Sequence, residues 1–255
     1  MTRDVQDLIY NALTLPEEAR VDQRIAKALL IERGGLGSTD RRLVDQGLER
    51  LTWRATLKPL GVGVAAHSDA VRDYGQLVVV FALLREPSRA HRLIEVIHRA
   101  LAQPLVVIAG DAASASLSVG LKRRHERELG RAVLERLTTS PIVDGGGDPV
   151  EEAFLHSLAL AAVPAHDLWS LHTGWEERIE AFAAARITGA FRLPLDGDEA
   201  RARQTALADH AAQAREVARL KAAASAEKRL ARRLDLAREV ASAEGRLADL
   251  VKILT

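Results

Sequence analysis

The eight histidines, 35 acidic residues and complete lack of cysteine in this chain of 255 residues bound its chemistry before any fold is considered. Without cysteine there is no disulfide, no thiolate zinc site and no thiol nucleophile. His91 and His98 lie seven apart, on one face of a helix. His166 and His172 lie six apart and share a face poorly. Neither pair has a third ligand at the spacing of a metal motif such as His-Glu-x-x-His. The histidines therefore read as polar-face or partner-contact residues. The Gly-x-Ser-x-Gly elbow of serine hydrolases is absent. A metal-dependent nuclease needs carboxylates, usually with a lysine, converging at the end of a central strand. The strongest strand signal, Leu77 to Leu84, ends in Arg85-Glu86 without an Asp-then-Glu-x-Lys pattern. Asp69, Asp73 and Glu86 are the carboxylates that could converge from loops, but at turn positions they read as surface residues. No catalytic residue, metal ligand or cofactor is assigned.

Two further patterns could hold phosphate. The loop Asp144-Gly145-Gly146-Gly147-Asp148-Pro149 is glycine-rich, yet no Gly-Lys-Ser/Thr follows, so it is not a Walker A loop. It reads as a linker ending in a helix start, with Asp148 as N-cap, Pro149 at the first position and Glu151 completing a capping box. Basic residues cluster twice, at Lys122, Arg123, Arg124 and Arg127, and in the tail. Residues 219–238 hold seven cations against Glu227 and Asp235, a local balance of +5. Lys122, Arg123, Arg124, Lys228, Arg229, Arg232 and Arg233 are the candidate nucleic-acid contacts. The tail cluster equally suits a coiled-coil flank facing an acidic partner. No aromatics interleave it, which argues against stacking on single strands.

The elements that position these residues follow from periodicity. Residues 16–33 read as a helix stopped by Gly34-Gly35, and Ser38 or Thr39 as the cap of a second. Leu48 to Lys58 alternates as a half-buried strand. Leu77 to Leu84 and Leu105 to Ala109 are apolar runs suited to buried strands, with a helix opened by Pro87 between them. Ser116 to Lys122 alternates and pairs with the preceding strand as a hairpin. Ala132 to Val143 reads as a short final strand or a helix-to-strand join. Two helices follow, one carrying Phe154, Leu155 and Leu158, the other Leu168, Leu171, Trp175, Ile179 and Phe182.

Residues 198–254 contain no proline and one glycine, Gly245. Leu236, Val240, Ala243, Leu247, Leu250 and Leu254 recur at steps of four and three, a heptad seam. A stripe that narrow must lie against another helix, from this chain or another, and these six residues are the candidate partner-binding positions. A continuous tail would reach about 85 Å at 1.5 Å per residue. A bend near Ala224-Ser225 would make it an antiparallel hairpin instead. Neither glycine nor proline marks such a bend, which favours the long helix.

Composition is 47% hydrophobic and 28% charged, enough for a sizeable core, and the net charge of +1 supplies no global field for nucleic acid or membrane. The first residues lack an apolar signal region, and no run approaches the roughly 20 apolar residues of a membrane helix. A cytoplasmic location is expected. The fold class expected is α+β: a mostly antiparallel sheet of four or five strands with packed helices, a helical region, and a long C-terminal helix of coiled-coil type. The domains expected are residues 1–147, a helical pair at 148–194 packed on it, and 195–255.

Three segments resemble a bacterial family known only as domain of unknown function 4391. Leu15 to Lys27 is similar to the family's opening, where proline usually sits at the position of Ala26. Leu43-Val44-Asp45-Gln46 leading to Leu51-Thr52-Trp53-Arg54-Ala55-Thr56-Leu57 resembles its helix into the first strand. Glu227 to Glu239 resembles its basic heptad tail. Members are typically encoded beside helicases and DNA methyltransferases in restriction-like antiphage loci. The resemblance implies an accessory, non-catalytic subunit of such a defence system with those proteins as partners, and it brings no catalytic residues. A DNA-binding protein with a nuclease-like or decayed nuclease fold and a homo-oligomeric scaffold (a homodimer, for example) stand as the alternatives.

Overall fold

A computed structural model of the chain describes residues 4–125 and 132–255. Contacts divide the chain into two compact units, one ending at Ile179 and the other running Glu180–Thr255.

The first unit is built on a six-stranded sheet. Its strands are β1 (Arg20–Ile25), β2 (Leu48–Leu57), β5 (Leu77–Leu84), β6 (Leu105–Gly110), β7 (Ala115–Arg124) and β8 (Ala132–Thr139), in the spatial order β1-β2-β5-β6-β7-β8. A separate ribbon pairs β3 (His67–Ser68) with β4 (Asp73–Tyr74). Every pair in the large sheet is antiparallel except β5 with β6. That parallel pair needs a crossover, supplied by helix α5 (Ala90–Ala100). The fold is therefore α+β with a mostly antiparallel sheet, as expected, but with six strands rather than four or five.

The additional strand is β1, which falls inside the stretch read as a helix. Five of its six residues are exposed, so it carries no apolar alternation for a sequence to display. Pairing with β2 overrides its helical composition. Only Lys27–Arg33 of that stretch is α-helical (α2). Its N-cap, Ala26, has φ −69°, close to the angle a proline ring fixes. Helix α3 (Ser38–Gly47) starts after Gly37, without a side-chain cap from Ser38 or Thr39.

Strands β5 and β6 are central and almost wholly buried. Val78, Val80 and Ala82 of β5, with Leu105, Val107 and Ala109 of β6, join Leu93, Ile94 and Ile97 of α5 and residues of α2 and α3 in one core cluster. The alternate residues Val79, Val106 and Ile108 are equally buried and point to the other face. Near that second layer, Gln6 of α1 (Val5–Ala12) donates from Nε2 to Ala82 O and Ile108 O. Helices α4 (Pro59–Val62), α6 (Pro149–Ser157) and α7 (Leu168–Thr188) complete the order, and the division between the units falls inside α7. Leu168, Leu171, Trp175, Ile179 and Phe182 are all fully buried.

The second unit holds α8 (Gly197–Ala226) and α9 (Leu230–Leu254), packed as a hairpin. The continuous rod is not formed. Glu227 and Arg229 adopt extended backbone angles, φ −77°, ψ 126° and φ −82°, ψ 117°. Such angles suit any residue, so the reversal requires neither glycine nor proline. The Glu227 carboxylate accepts the Arg229 N–H at 2.8 Å and steadies the turn. Among the described residues, no helix is long and apolar enough to cross a membrane.

Candidate functional site

The heptad seam is closed from within the chain. Leu236 and Ala243 are buried with Val217 and Leu220 of α8, and Val240 and Leu247 pack partly against them. Leu254 is buried with Ala184 and Ala206, and Leu250 is half-buried. Gln213 of α8 donates to Ala243 O at 3.0 Å, and Lys221 pairs with Glu244 at 2.7 Å across the same hairpin. The helix that the stripe demanded is thus α8. Four of the six seam residues, Leu236, Val240, Ala243 and Leu247, share one intramolecular cluster with α8, and Leu254 joins another.

Of the tail cations, Arg219 and Lys221 are on α8, paired with Glu216 and Glu244, and the rest lie at the turn before α9 and on its first turns. Arg232 lies 3.5 Å from Glu239, and Arg238 lies 3.5 Å from Asp235. Lys228, Arg229 and Arg233 are exposed, and no carboxylate among the described residues pairs with their side chains.

Lys122, Arg123 and Arg124 of the other basic cluster have partners within the fold. Lys122 is buried: its Nζ donates to Leu101 O and, at 2.7 Å, to Gln103 O, capping the C-terminal end of α5. Burial pulls its ammonium down to about 7. Arg123 pairs with Glu135 at 3.9 Å. Arg124 donates to Ser68 Oγ at 2.8 Å and lies 3.5 Å from Asp73. Arg127 lies outside the described residues.

The histidine pairs separate by environment rather than by spacing. His91 and His166 are exposed, as expected, but His98 and His172 are fully buried. Ser118 Oγ donates to Val107 O at 3.2 Å, so it accepts from His98 Nε2 at 3.1 Å. His172 Nε2 donates to Leu105 O at 2.9 Å. Both rings therefore carry their proton on Nε2, and each Nδ1 is left without a partner. Burial holds both rings neutral. His172 falls to about 4, chiefly by desolvation and against its bond to Leu105, and His98 falls well below its usual range for the same reason, with the Lys122 charge adding to it.

Gly120 makes room for the His98 ring. A methyl group there would meet Nδ1 at 2.3 Å and Leu134 Cδ1 at 2.9 Å. Gly120→Ala should cost about 1–3 kcal/mol by overpacking, read as a lowered urea midpoint. An unchanged midpoint would contradict that wedge.

Asp69, Asp73 and Glu86 do not converge. The first two flank the β3-β4 turn before β5, and Glu86 lies beyond the opposite end of that strand, paired with Arg89. No group of three or more His, Asp or Glu side chains that could hold a metal occurs among the described residues. The glycine loop is occupied by its own acids. Glu151 accepts from Asp144 N at 3.1 Å and Gly145 N at 2.7 Å, and Asp144 Oδ1 accepts from Gly146 N. Asp148 caps Val150 N as expected. Glu151 instead reaches back past the cap to the loop, which corrects the capping-box reading.

Two constellations escape a sequence reading. His67 Nδ1 meets Asp167 at 2.8 Å and Nε2 meets Asp69 at 3.1 Å. These carboxylates, Asp167 foremost, hold the imidazole above its ordinary range. With both nitrogens engaged, the ring serves as a clasp between β3 and the start of α7. Beside it, Arg72 lies 4.3 Å over the Trp169 ring and donates to Glu135. The partners of the clasp are a hundred residues apart, so spacing carries no signal. The second constellation joins the two N-terminal segments that carry the resemblance. Arg54 of β2 donates to Asp22 of β1 at 2.5 Å and to Asp7 of α1 at 3.1 Å. Its guanidinium lies 4.9 and 5.0 Å from the Tyr10 and Phe81 rings. Asp22 has φ 53°, an unusual angle for a non-glycine residue, at a register shift in β1.

Many polar side chains of the first unit thus hold elements to one another, and exposed cations without a carboxylate partner also lie on the helical hairpin. Fold and side chains together define a sheet protein bearing a helical-hairpin unit. Residues 13–247 match the model of the family described as domain of unknown function (DUF4391), and the chain belongs to that family. No curated protein and no solved structure matches it.

Proposed function

We propose that the chain is a non-catalytic accessory subunit of a bacterial DNA-modification and helicase defence system, working in the cytoplasm and docking its partners through the helical tail. One observation carries this reading: a compact helical unit whose seam is already closed still exposes large apolar side chains. Leu230 is 63% exposed, Leu234 55% and Ile253 62%. Surplus apolar surface on an otherwise polar helix marks an interaction site. The choice of partners, a helicase or DNA methyltransferase of the same locus, comes from the family resemblance. The exposed Lys228, Arg229 and Arg233 support a second reading, contact with phosphate. A homo-oligomeric scaffold loses its main motive once α8 covers the seam.

Co-expression of the full chain with the products of its neighbouring genes tests the first reading. Co-elution with at least one of them on size exclusion is expected. If the chain runs apart from all of them at low salt, the docking role falls.

A further inference from the structure

Helix α9 carries a second heptad stripe. Leu230, Leu234, Ala237 and Ala241 follow at steps of four, three and four, and all four are exposed. At 100° per residue this row lies well round the helix from Leu236, Val240 and Ala243, which face α8. The next turn breaks it with Glu244, engaged by Lys221, and Gly245. The stripe is therefore about three turns and 16 Å long. In heptad terms its flanking positions are Arg233 on one side and Arg238 on the other, with Lys228 and Arg229 at its leading end. Arg238 is 82% exposed, with Asp235 only loosely beside it at 3.5 Å.

From this we infer that the outer face of α9 is a docking seam for an acidic amphipathic helix of another protein, which completes a three-helix bundle with α8 and α9. This rests on the reading of the tail as a docking device and gives that device its chemistry. Charge decides the occupant. In a parallel pairing with a second copy, Arg233 would face Arg238; in an antiparallel pairing each arginine would face its own equivalent. Both arrangements place like charges at the flanking positions, where partner choice is set. A helix with Leu or Ile along its seam and Glu at its flanks satisfies both leucines and arginines. Phosphate would engage the arginines and leave Leu230 and Leu234 in water.

Two helical peptides of about three heptads test the seam against the full chain by fluorescence anisotropy. Both carry Leu at the seam; one carries Glu and the other Lys at the flanks. The Glu peptide should bind at least tenfold more tightly than the Lys peptide. Leu234→Asp should abolish that binding. The double change Arg233→Glu with Arg238→Glu should reverse the preference toward the Lys peptide. These side chains are exposed, so circular dichroism should match the parent, and Leu234→Gln serves as a milder variant should Asp perturb the helix. Equal affinity for the two peptides, no binding of the Glu peptide, or its displacement by duplex DNA would overturn the inference. The genomic partners separate this from the broader reading. If the parent chain co-elutes with a neighbour and Leu234→Asp co-elutes equally well, the seam is wrong and the docking role stands. If the parent binds no neighbour, the docking role fails and the peptides alone decide the seam.

Discussion

Acidification from pH 6.5 to 4 should remove roughly 3 kcal/mol of stability through His172 alone, and His172→Gln should abolish that share of the loss. The ring sits near 4 in the folded chain, against an ordinary value of 6.5. Within that window the unfolded chain binds a proton that the folded chain refuses, so stability falls as pH falls. Above 6.5 both states are neutral and the contribution is complete; below about 4 both are protonated and nothing more is lost. His98 shifts in the same direction and steepens the same limb. The carboxylates held below their usual range, Asp22, Asp40 and Asp167 among them, act at lower pH, below their ordinary 3.8. His67 acts in the opposite sense: its raised pKa supplies stability that is complete below 6.5 and lost as pH climbs through its folded value. It therefore adds no slope to the acid limb. Glutamine keeps an N–H donor for Leu105 O and does not titrate. Urea-derived stabilities at pH 6.5 and 4.5 decide the matter: equal losses in parent and His172→Gln would remove His172 from the account.

That behaviour is not legible in the residues. A histidine seven positions from another on an amphipathic helix looks like a surface group. Burial of His98 follows from Gly120 on β7, a residue whose lack of a side chain has meaning only once α5 lies over that strand. The legible elements are those with strong local signals. β5 and β6 stand out because both faces are covered, so their apolar runs are unbroken. The α9 seam stands out because apolar residues at alternating steps of four and three line one narrow helix face, which only a second helix covers well. β1 does not, because an exposed edge strand reads Arg-Val-Asp-Gln-Arg-Ile, with only its last residue buried. The hairpin reversal does not, because extended angles at Glu227 and Arg229 need no special residue. Lys122 looks like one of three basic neighbours, and only the approach of the α5 C-terminus turns it inward. The burial of His98 and of Lys122 shares a cause: the deciding partner is distant in sequence, whereas periodicity reports local surroundings alone.

A buried carboxylate on α7 supplies the other large effect. Glu176 is 2% exposed and accepts from Arg136 Nε at 2.7 Å and Nη2 at 2.5 Å, with Thr138 Oγ1 at 2.7 Å. The paired N–H groups of the guanidinium match the two carboxylate oxygens, and the contact ties edge strand β8 to α7. Removing the arginine leaves the carboxylate in place with Thr138 still bonded. Breaking a buried pair this way costs about 3–5 kcal/mol. Here the arginine side chain is 45% exposed, so water can reach the vacated place and the loss should lie nearer 2–3 kcal/mol. Arg136→Met should therefore lower stability by about that amount. Adding Glu176→Gln to Arg136→Met should return a large part of it, because the neutral amide no longer needs a cation and can still accept from Thr138. The four chains of this double-mutant cycle, compared by urea denaturation, isolate the coupling between the two residues. Strictly additive losses would mean that the fork contributes nothing beyond its parts.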